Sequence, residues 1–174
     1  IAVIGDGSLS GGMAFEGLDT VGELGTNFIV VFNDNDMSIA ENHGGMYKGI
    51  KKLRETNGQA ADNLFRAFGL DYRFVADGND VEALIRAFEE VRDIDHPVVV
   101  HIVTQKGKGY APAEKNKEDW HWHMPFDLAT GEVREPYTDR YGEATAAFLL
   151  QQMKKDPKLV AMTAAVPMVM GFTP

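Results

Sequence analysis

Two clusters of acidic and amide side chains near the start of the sequence each follow a short apolar run. Residues 5–8 read Gly-Asp-Gly-Ser, with Asp6 as the carboxylate, and residues 33–37 read Asn-Asp-Asn-Asp-Met, with Asn35 at the centre. Carboxylate, amide and backbone carbonyl oxygens suit Mg²⁺, which usually completes its octahedral shell with water and ligand phosphates. Backbone N–H groups of Gly7 and Ser8, at the start of a predicted helix, could bind an anion. Together the clusters predict a site for a magnesium-bound diphosphate.

Each cluster also has a simpler interpretation, because Gly-Asp-Gly is common in turns and Asn-Asp-Asn in loops and helix caps. Short motifs of this kind often match by chance. The pair is more informative, since both clusters end apolar strands and 29 positions separate Asp6 from Asn35. An alternative uses Asp34 and Asp36 as the Asp-x-Asp that holds a metal and a nucleotide-sugar diphosphate in glycosyltransferases. That alternative gives Asp6 no role.

The apolar pattern predicts the elements that position these clusters. Residues 1–4 and 28–32 are continuous Val- and Ile-rich runs, which is typical of strands buried on both faces of a parallel sheet. Residues 10–24 between them have the pattern of a crossover helix. Both clusters would then lie at the carboxyl edge of one sheet, where ligands bind in open α/β folds. Strand and helix patterns alternate to residue 104, so the predicted fold class is α/β, a doubly wound parallel sheet.

Smaller features complete this prediction. Residues 62–68 form a short amphipathic helix, residues 72–76 and 98–103 read as strands, and Asn79 with Glu82 resembles a capping box. The densest basic run, Lys48, Lys51, Lys52 and Arg54, is interpreted as a solvated helix face.

The sequence after residue 104 changes character. Residues 105–136 are irregular and rich in Gly, Pro, Lys and aromatic residues, which is typical of functional loops or linkers. A helix at about residues 140–155 and a strand at 159–165 then indicate a second α/β domain. The predicted organisation is a diphosphate-binding domain at 1–104, an active-site loop and linker at 105–136, and the start of a second domain at 137–174. Because Ile1 is not a methionine and lies in a predicted strand, we expect a longer polypeptide.

The composition excludes several classes of protein. The 174 residues carry a net charge of -9 and no basic patch, which argues against a nucleic-acid partner. The absence of cysteine excludes disulfides and thiolate metal sites, and it fits a reducing compartment such as the cytoplasm. No apolar run approaches the roughly 20 residues of a membrane span, so no membrane partner is expected.

Three blocks carry a resemblance to a known family. Residues 5–16 read Gly-Asp-Gly-Ser-Leu-Ser-Gly-Gly-Met-Ala-Phe-Glu, residues 33–39 Asn-Asp-Asn-Asp-Met-Ser-Ile, and residues 106–115 Lys-Gly-Lys-Gly-Tyr-Ala-Pro-Ala-Glu-Lys. In this order they resemble the 1-deoxy-D-xylulose-5-phosphate synthase family of the transketolase superfamily, whose members use thiamine diphosphate. The resemblance covers nearly the whole chain, and it implies the thiamine diphosphate-binding fold.

The resemblance implies a role for individual residues of the two clusters. Asp6 and Asn35 would be side-chain ligands of Mg²⁺, and the Met37 carbonyl would be a third ligand. The cofactor diphosphate would contact Gly7, Ser8 and Asn35.

The later blocks carry further implied roles. Tyr110 would lie against the cofactor, and His121 would be the active-site histidine. Trp122 and His123 replace apolar residues expected after that histidine, so His123 competes with His121, and the Trp-His-Trp-His run could also pack as an aromatic patch. His43 is interpreted as a loop residue and His101 as a strand residue at the sheet edge. The segment between residues 38 and 68 is shorter than is usual in the family.

The implied activity joins pyruvate to D-glyceraldehyde 3-phosphate, giving 1-deoxy-D-xylulose 5-phosphate and CO₂ for isoprenoid, thiamine and pyridoxal biosynthesis. The cofactor carries the carbanion chemistry, and the protein orients it. The family's activating glutamate and phosphate-binding arginines would lie beyond this chain, so the chain alone should be inactive, and members usually form homodimers. Transketolase is the nearest alternative enzyme. A non-catalytic cofactor-binding lobe is the alternative from another class.

Overall fold

The computed structural model describes residues 1–135, 140–163 and 170–172. Contacts between residues divide the chain into two compact units, Ile1–Glu118 and Asp119–Pro174. The predicted division into domains stays a prediction. Within the described ranges, no helix is long and apolar enough to cross a membrane.

The first unit is built on a four-stranded parallel sheet. Its strands are β1 (Ala2–Gly5), β2 (Ile29–Asp34), β3 (Asp71–Val75) and β4 (Val98–Val103), in the order β1-β2-β4-β3. The register pairs Gly5 with Asn33 and Asn33 with Ile102. The ends of β1, β2 and β4 therefore lie at one edge of the sheet, as the sequence predicted.

Seven helices surround or follow these strands in the described part of the chain. They are α1 (Asp6–Leu9), α2 (Gly12–Leu24), α3 (Gly45–Glu55), α4 (Leu64–Ala67), α5 (Val81–Val91), α6 (Ala111–Lys115) and α7 (Arg140–Lys155). All but α7 belong to the first unit.

Both faces of the sheet are covered, as in a doubly wound fold. On one face, residues of α1 to α4 pack on Val30, Phe32 and Val99, and Phe65 and Leu53 are fully buried there. On the other face, α5 packs on Val75 of β3 and on Val98 and Val100 of β4. The inward-facing residues alternate along β4 because successive side chains of a strand point to opposite faces. The prediction of a doubly wound parallel α/β sheet is confirmed.

The burial predicted for the first strand is wrong. β1 is an edge strand with β2 on one side only, and Val3 is 73% exposed. The apolar run predicted a strand correctly, but it could not show that Ile4 packs on the core while the face that carries Val3 is largely uncovered.

Two local predictions also differ from the structure. Asp80, not Asn79, caps α5, and its carboxylate accepts the N–H groups of Glu82 and Ala83. Asn79 instead accepts the Gln105 N–H. The irregular region contains α6 and a bridge between residues 126 and 133.

The second unit contains α7, which matches the predicted helix. Gly171 has a positive φ of 73°, and a Cβ there would lie 3.0 Å from the Ala146 Cβ, so the chain passes close to this helix. The strand predicted at 159–165 is not observed over residues 159–163. Residues 164 and 165 lie outside the described residues.

Two glycines of α2 give a prediction about packing. A Cβ at Gly22 would lie 2.0 Å from the Phe68 carbonyl oxygen, whereas a Cβ at Gly17 would meet nothing within 4 Å. We expect Gly22→Ala to destabilise the protein by at least about 2 kcal/mol, because the backbone must move. Gly17→Ala should stabilise it by up to about 1 kcal/mol through helix propensity. The midpoint of thermal unfolding measures both, and equal midpoints would contradict this packing.

Candidate functional site

The site lies where β1 and β2 end. Asp6 is the first residue after β1 and is 2% exposed. Its Oδ2 accepts a hydrogen bond from Asn42 Nδ2 at 2.7 Å, and its backbone carbonyl accepts one from the Tyr47 hydroxyl at 3.0 Å. The carboxylate is thus fixed by residues that the sequence analysis did not select, which come from the loop before α3 and from α3 itself.

The surroundings of Asp6 disfavour the negative charge of its carboxylate. Burial raises the pKa of this carboxyl group, and the neighbouring Asp34 carboxylate raises it further. Hydrogen bonds from the Gly7 and Met37 backbones and from Asn42 oppose the rise without cancelling it. A bound cation would stabilise the ionised form of Asp6.

The second cluster forms a tight turn beside Asp6. Asn35 is half-buried, and its Oδ1 accepts the Met37 N–H at 3.1 Å. Because the Met37 N–H also contacts the Asp6 carboxylate, the structure places Asp6 and the Asn35–Met37 turn together. These residues include the three predicted metal ligands.

Gly7 makes the closest approach in the site. A Cβ at this position would lie 2.6 Å from the Ser38 Cβ and 3.1 Å from the Ser38 Cα. Only glycine fits against Ser38 here, which explains why the motif has no side chain after Asp6. Ser8 follows as an exposed residue in the single turn of α1.

Asp34 lies in a buried network that the sequence analysis missed. Its oxygens accept hydrogen bonds from Arg54 Nη1 at 2.8 Å and from His101 Nε2 at 2.8 Å. Burial would raise the pKa of Asp34, but the bonds from His101 and Arg54 hold it below its ordinary value. Because both oxygens already have partners, the Asp-x-Asp alternative loses its first metal ligand.

Two sequence interpretations are therefore wrong. His101 lies in the inner strand β4 and is fully buried, not at the sheet edge. Arg54 is not part of a solvated face, since its side chain is only 15% exposed. A polar residue in the apolar run of β4 was the available signal for His101, but its partner is 67 positions away.

The loop after β4 reaches the same edge. Lys106 Nζ donates to the Ser38 carbonyl, and burial lowers the pKa of this lysine while the charge of Asp6 opposes the shift. Gly107 has φ 81°, and a Cβ there would collide with Ala113, so the loop folds tightly onto α6. Tyr110, half-buried, is the residue immediately before α6.

A cleft of about 480 Å³ opens beside Met37. Four cationic side chains line it: Lys48, Lys51, Arg54 and Lys117. Asp36 and Glu41 line the cleft as well, and Arg54 is paired with Asp34 and Asp36, so the positive charge that remains comes from the three lysines. In a chain of net charge -9, these lysines favour an anionic ligand next to the turn. His43, as expected for a loop residue, is exposed on the same cleft.

The histidines of the second unit differ in their surroundings. His123 stacks on Trp120 with ring centroids 4.1 Å apart, and Phe126 packs edge-on at 5.2 Å. His121 is exposed. The aromatic packing expected as the simpler interpretation thus applies to His123, and the role of His121 stays a prediction.

The residues of the first unit fit a magnesium diphosphate group. The donors are hard oxygens, and a cation would stabilise the ionised form of the buried Asp6, whose pKa is raised by burial and by Asp34. Among the described residues no three His, Cys, Asp or Glu side chains cluster as a metal site. The predicted set, with one carboxylate, one amide and one carbonyl, is of a different type.

The chain is similar in sequence to a known family of enzymes. A family model described as 1-deoxy-D-xylulose-5-phosphate synthase matches residues 1–62 and 55–104. The chain belongs to the 1-deoxy-D-xylulose-5-phosphate synthase family. The synthase of Desulforudis audaxviator is 36% identical over 214 residues, covering 100% of this chain and 33% of that protein. A synthase of Geobacter sulfurreducens is 38% identical over 215 residues, covering 99% and 33%.

The chain spans about a third of the length of these curated relatives. Solved transketolase structures are also similar. A transketolase from Pichia stipitis has 24% identity, a TM-score of 0.47 and coverage of 62% of this chain and 15% of its own. That from Campylobacter jejuni has 22% identity, a TM-score of 0.44 and coverage of 61% and 16%.

The prediction of a shortened segment between residues 38 and 68 is supported by two of the comparisons. The alignment with the Desulforudis synthase is 214 positions long, but this chain has only 174 residues. At least 40 residues of that synthase therefore have no equivalent in this chain. The two matched pieces of the family model meet at residues 55–62. There the chain makes a tight turn with positive φ at Asn57 and Gly58, and the Gly58 N–H donates to the Leu53 carbonyl at 2.7 Å.

Proposed function

We propose that this chain forms the Mg²⁺- and diphosphate-binding part of a thiamine diphosphate-dependent 1-deoxy-D-xylulose-5-phosphate synthase. The complete protein would condense pyruvate with D-glyceraldehyde 3-phosphate and release CO₂. The observation that carries the proposal is the pairing of Asp6 with the Asn35–Met37 turn at the carboxyl edge of the sheet in a member of this family.

In this proposal the first unit binds and orients the cofactor. Asp6, Asn35 and the Met37 carbonyl hold Mg²⁺, while Gly7, Ser8 and Asn35 contact the diphosphate. Lys106, which donates to the Ser38 carbonyl, keeps positive charge at the same edge. When bound, thiamine diphosphate would supply the carbanion chemistry that side chains cannot provide.

Residues of the loop after β4 and of the second unit have the other proposed roles. Tyr110, next to α6, packs against the cofactor, and His121 moves a proton or holds a substrate oxygen, since histidine changes charge near neutral pH. We further propose the division into a diphosphate-binding domain (1–104), a loop and linker (105–136) and the start of a second domain (137–174). The complete protein would be a cytoplasmic homodimer of isoprenoid, thiamine and pyridoxal biosynthesis.

The direct test is product analysis with the complete protein that carries this chain. Pyruvate and D-glyceraldehyde 3-phosphate, with Mg²⁺ and thiamine diphosphate, should give 1-deoxy-D-xylulose 5-phosphate and CO₂, and omission of either cofactor should stop the reaction. In the same assay His121→Ala should lower kcat by at least about a hundredfold, the range expected for a general acid or base. His123→Ala, the matched control, should retain most of the activity.

Two outcomes would contradict the proposal. Turnover with a ketose phosphate donor but not with pyruvate would indicate a transketolase. A larger loss for His123→Ala than for His121→Ala would reverse the assignment of the histidine.

A further inference from the structure

The turn that carries two of the proposed metal ligands contains a strained residue. Asp36 lies between Asn35 and Met37 and has φ 62°, in the left-handed region that side chains other than glycine rarely adopt. Such a conformation persists where surrounding contacts enforce it. The direction of the Asn35 side chain and of the Met37 carbonyl depends on it, because Asp36 is the residue that joins them.

The contacts that enforce the turn come from Asp34. Asp34 Oδ1 accepts the Asp36 N–H at 3.1 Å. Arg54 then bridges the two acids, with Nη1 donating to Asp34 and Nη2 to the Asp36 carboxylate. A planar guanidinium can hold two carboxylates at once, which a lysine cannot do in the same geometry.

Asp34 is in turn held by His101, which lies in the inner strand β4. His101 Nε2 lies 2.8 Å from Asp34 Oδ2, and His101 Nδ1 lies 2.6 Å from the Tyr72 hydroxyl. With Asp34 ionised, the Nε2–H donates to it, and Nδ1 accepts from Tyr72. Phe32 and Phe74 pack on the imidazole, with ring centroids 4.7 Å and 5.2 Å away, so the ring has one orientation.

We propose that His101 and Arg54 are positioning residues of the metal site. Acting through Asp34, they hold Asp36 in its left-handed turn and so place Asn35 and Met37 around the cation. This inference rests on the proposed function and extends it to residues that do not contact the metal. Residues that hydrogen-bond to metal ligands without contacting the metal typically matter for affinity, and their removal weakens metal binding by about 10–100-fold.

Two substitutions of His101 separate its two hydrogen bonds. His101→Gln can place an amide N–H near the position of Nε2 and keep the bond to Asp34, whereas His101→Asn loses that bond. The measurement is the Mg²⁺ Kd of the complete protein by calorimetry in the presence of thiamine diphosphate. We expect His101→Asn to weaken Mg²⁺ binding about tenfold and His101→Gln to stay within about twofold of the wild type.

Further variants separate positioning from general loss of packing. Arg54→Lys keeps the positive charge beside Asp34 but cannot bridge both carboxylates, so it should also weaken Mg²⁺ binding about tenfold. Phe65→Leu loosens the ring packing on Tyr72 and His101 but keeps every hydrogen-bonding group of the network. Lys52→Met removes an exposed charge of α3. Both controls should leave the Mg²⁺ Kd within about twofold, although Phe65→Leu lowers the midpoint of thermal unfolding.

The outcomes distinguish the inference from the proposed function. A wild-type protein without Mg²⁺-dependent cofactor binding would overturn both. Normal binding in the wild type with an unchanged Kd in folded Arg54→Lys would overturn the positioning role alone. The same would hold if Phe65→Leu weakened Mg²⁺ binding as much as His101→Asn.

Discussion

Replacing Asp6 with asparagine is expected to abolish Mg²⁺-dependent binding of thiamine diphosphate while leaving the cofactor-free protein at least as stable as the wild type. Asp6 is the one charged ligand in the proposed set, since Asn35 and the Met37 carbonyl are neutral. Its loss should weaken binding by at least about a hundredfold, because a hard divalent cation depends strongly on ligand charge.

The effect on stability has the opposite sign. The pKa of Asp6 is raised in the folded protein, so the folded state holds this proton more tightly than the unfolded chain does. Once the pH exceeds the pKa of the unfolded chain, the group therefore makes the folded state less stable than it is with the carboxyl protonated. Asparagine removes the charge beside Asp34, and its amide oxygen can still accept the bond from Asn42.

Calorimetry with thiamine diphosphate at fixed Mg²⁺, and thermal unfolding without cofactor, measure the two halves of this prediction. Asp19→Asn is the matched control, because it removes one exposed carboxylate from α2 and should change neither quantity. If Asp6→Asn kept the cofactor affinity of the wild type, Asp6 would not be a Mg²⁺ ligand. A midpoint several degrees lower would show that the carboxylate supports the fold.

The second large effect is expected for Gly7→Ala. The new Cβ would meet Ser38 at 2.6 Å. Two hydrogen bonds hold Ser38 in place. Its N–H donates to the Ala40 carbonyl at 2.9 Å, and its own carbonyl accepts a hydrogen bond from the Lys106 ammonium. We expect a loss of about 1–3 kcal/mol in stability and at least tenfold weaker cofactor binding, because overpacking displaces the turn that carries the ligands.

Two companion variants make this prediction specific. Gly5→Ala is the control, since a Cβ there meets nothing within 4 Å and φ is an ordinary -85°. Adding Ser38→Gly to Gly7→Ala removes the closest contact, so the double variant should recover part of the binding, a coupling that a double-mutant cycle measures. Equal effects of alanine at residues 5 and 7 would show that steric contact with Ser38 does not matter.

The sequence predicted the fold well because its signals are local. Continuous apolar runs marked β2, where Asn33 follows the run, and β4, where Pro97 precedes it, and helical periodicity marked the helices between the strands. The position of β1 at the edge was not predictable, since an apolar run looks the same with one neighbouring strand or two. The Asp80 cap was misplaced by one residue because Asn79 and Asp80 both have side chains suited to capping.

Only part of the candidate site could be predicted from the sequence. Asp6, Gly7 and Asn35 could be selected because their types and their places after strands are visible in the sequence. The Arg54–Asp34–His101 network could not, because it joins residues 20 and 67 positions apart. A basic run on a helix normally faces water, and only the fold shows that Arg54 turns inward to two carboxylates.

The edge strand β1 has a practical consequence for anyone who produces this stretch by itself. Its outer side offers unpaired backbone N–H and C=O groups, and Val3 and Ile1 are 73% and 87% exposed. A strand of this kind can pair with the same strand of another molecule. If the isolated stretch precipitates, the cause would be aggregation through β1 and not a failure of the Asp6 site to form. The cofactor experiments should therefore use the complete polypeptide.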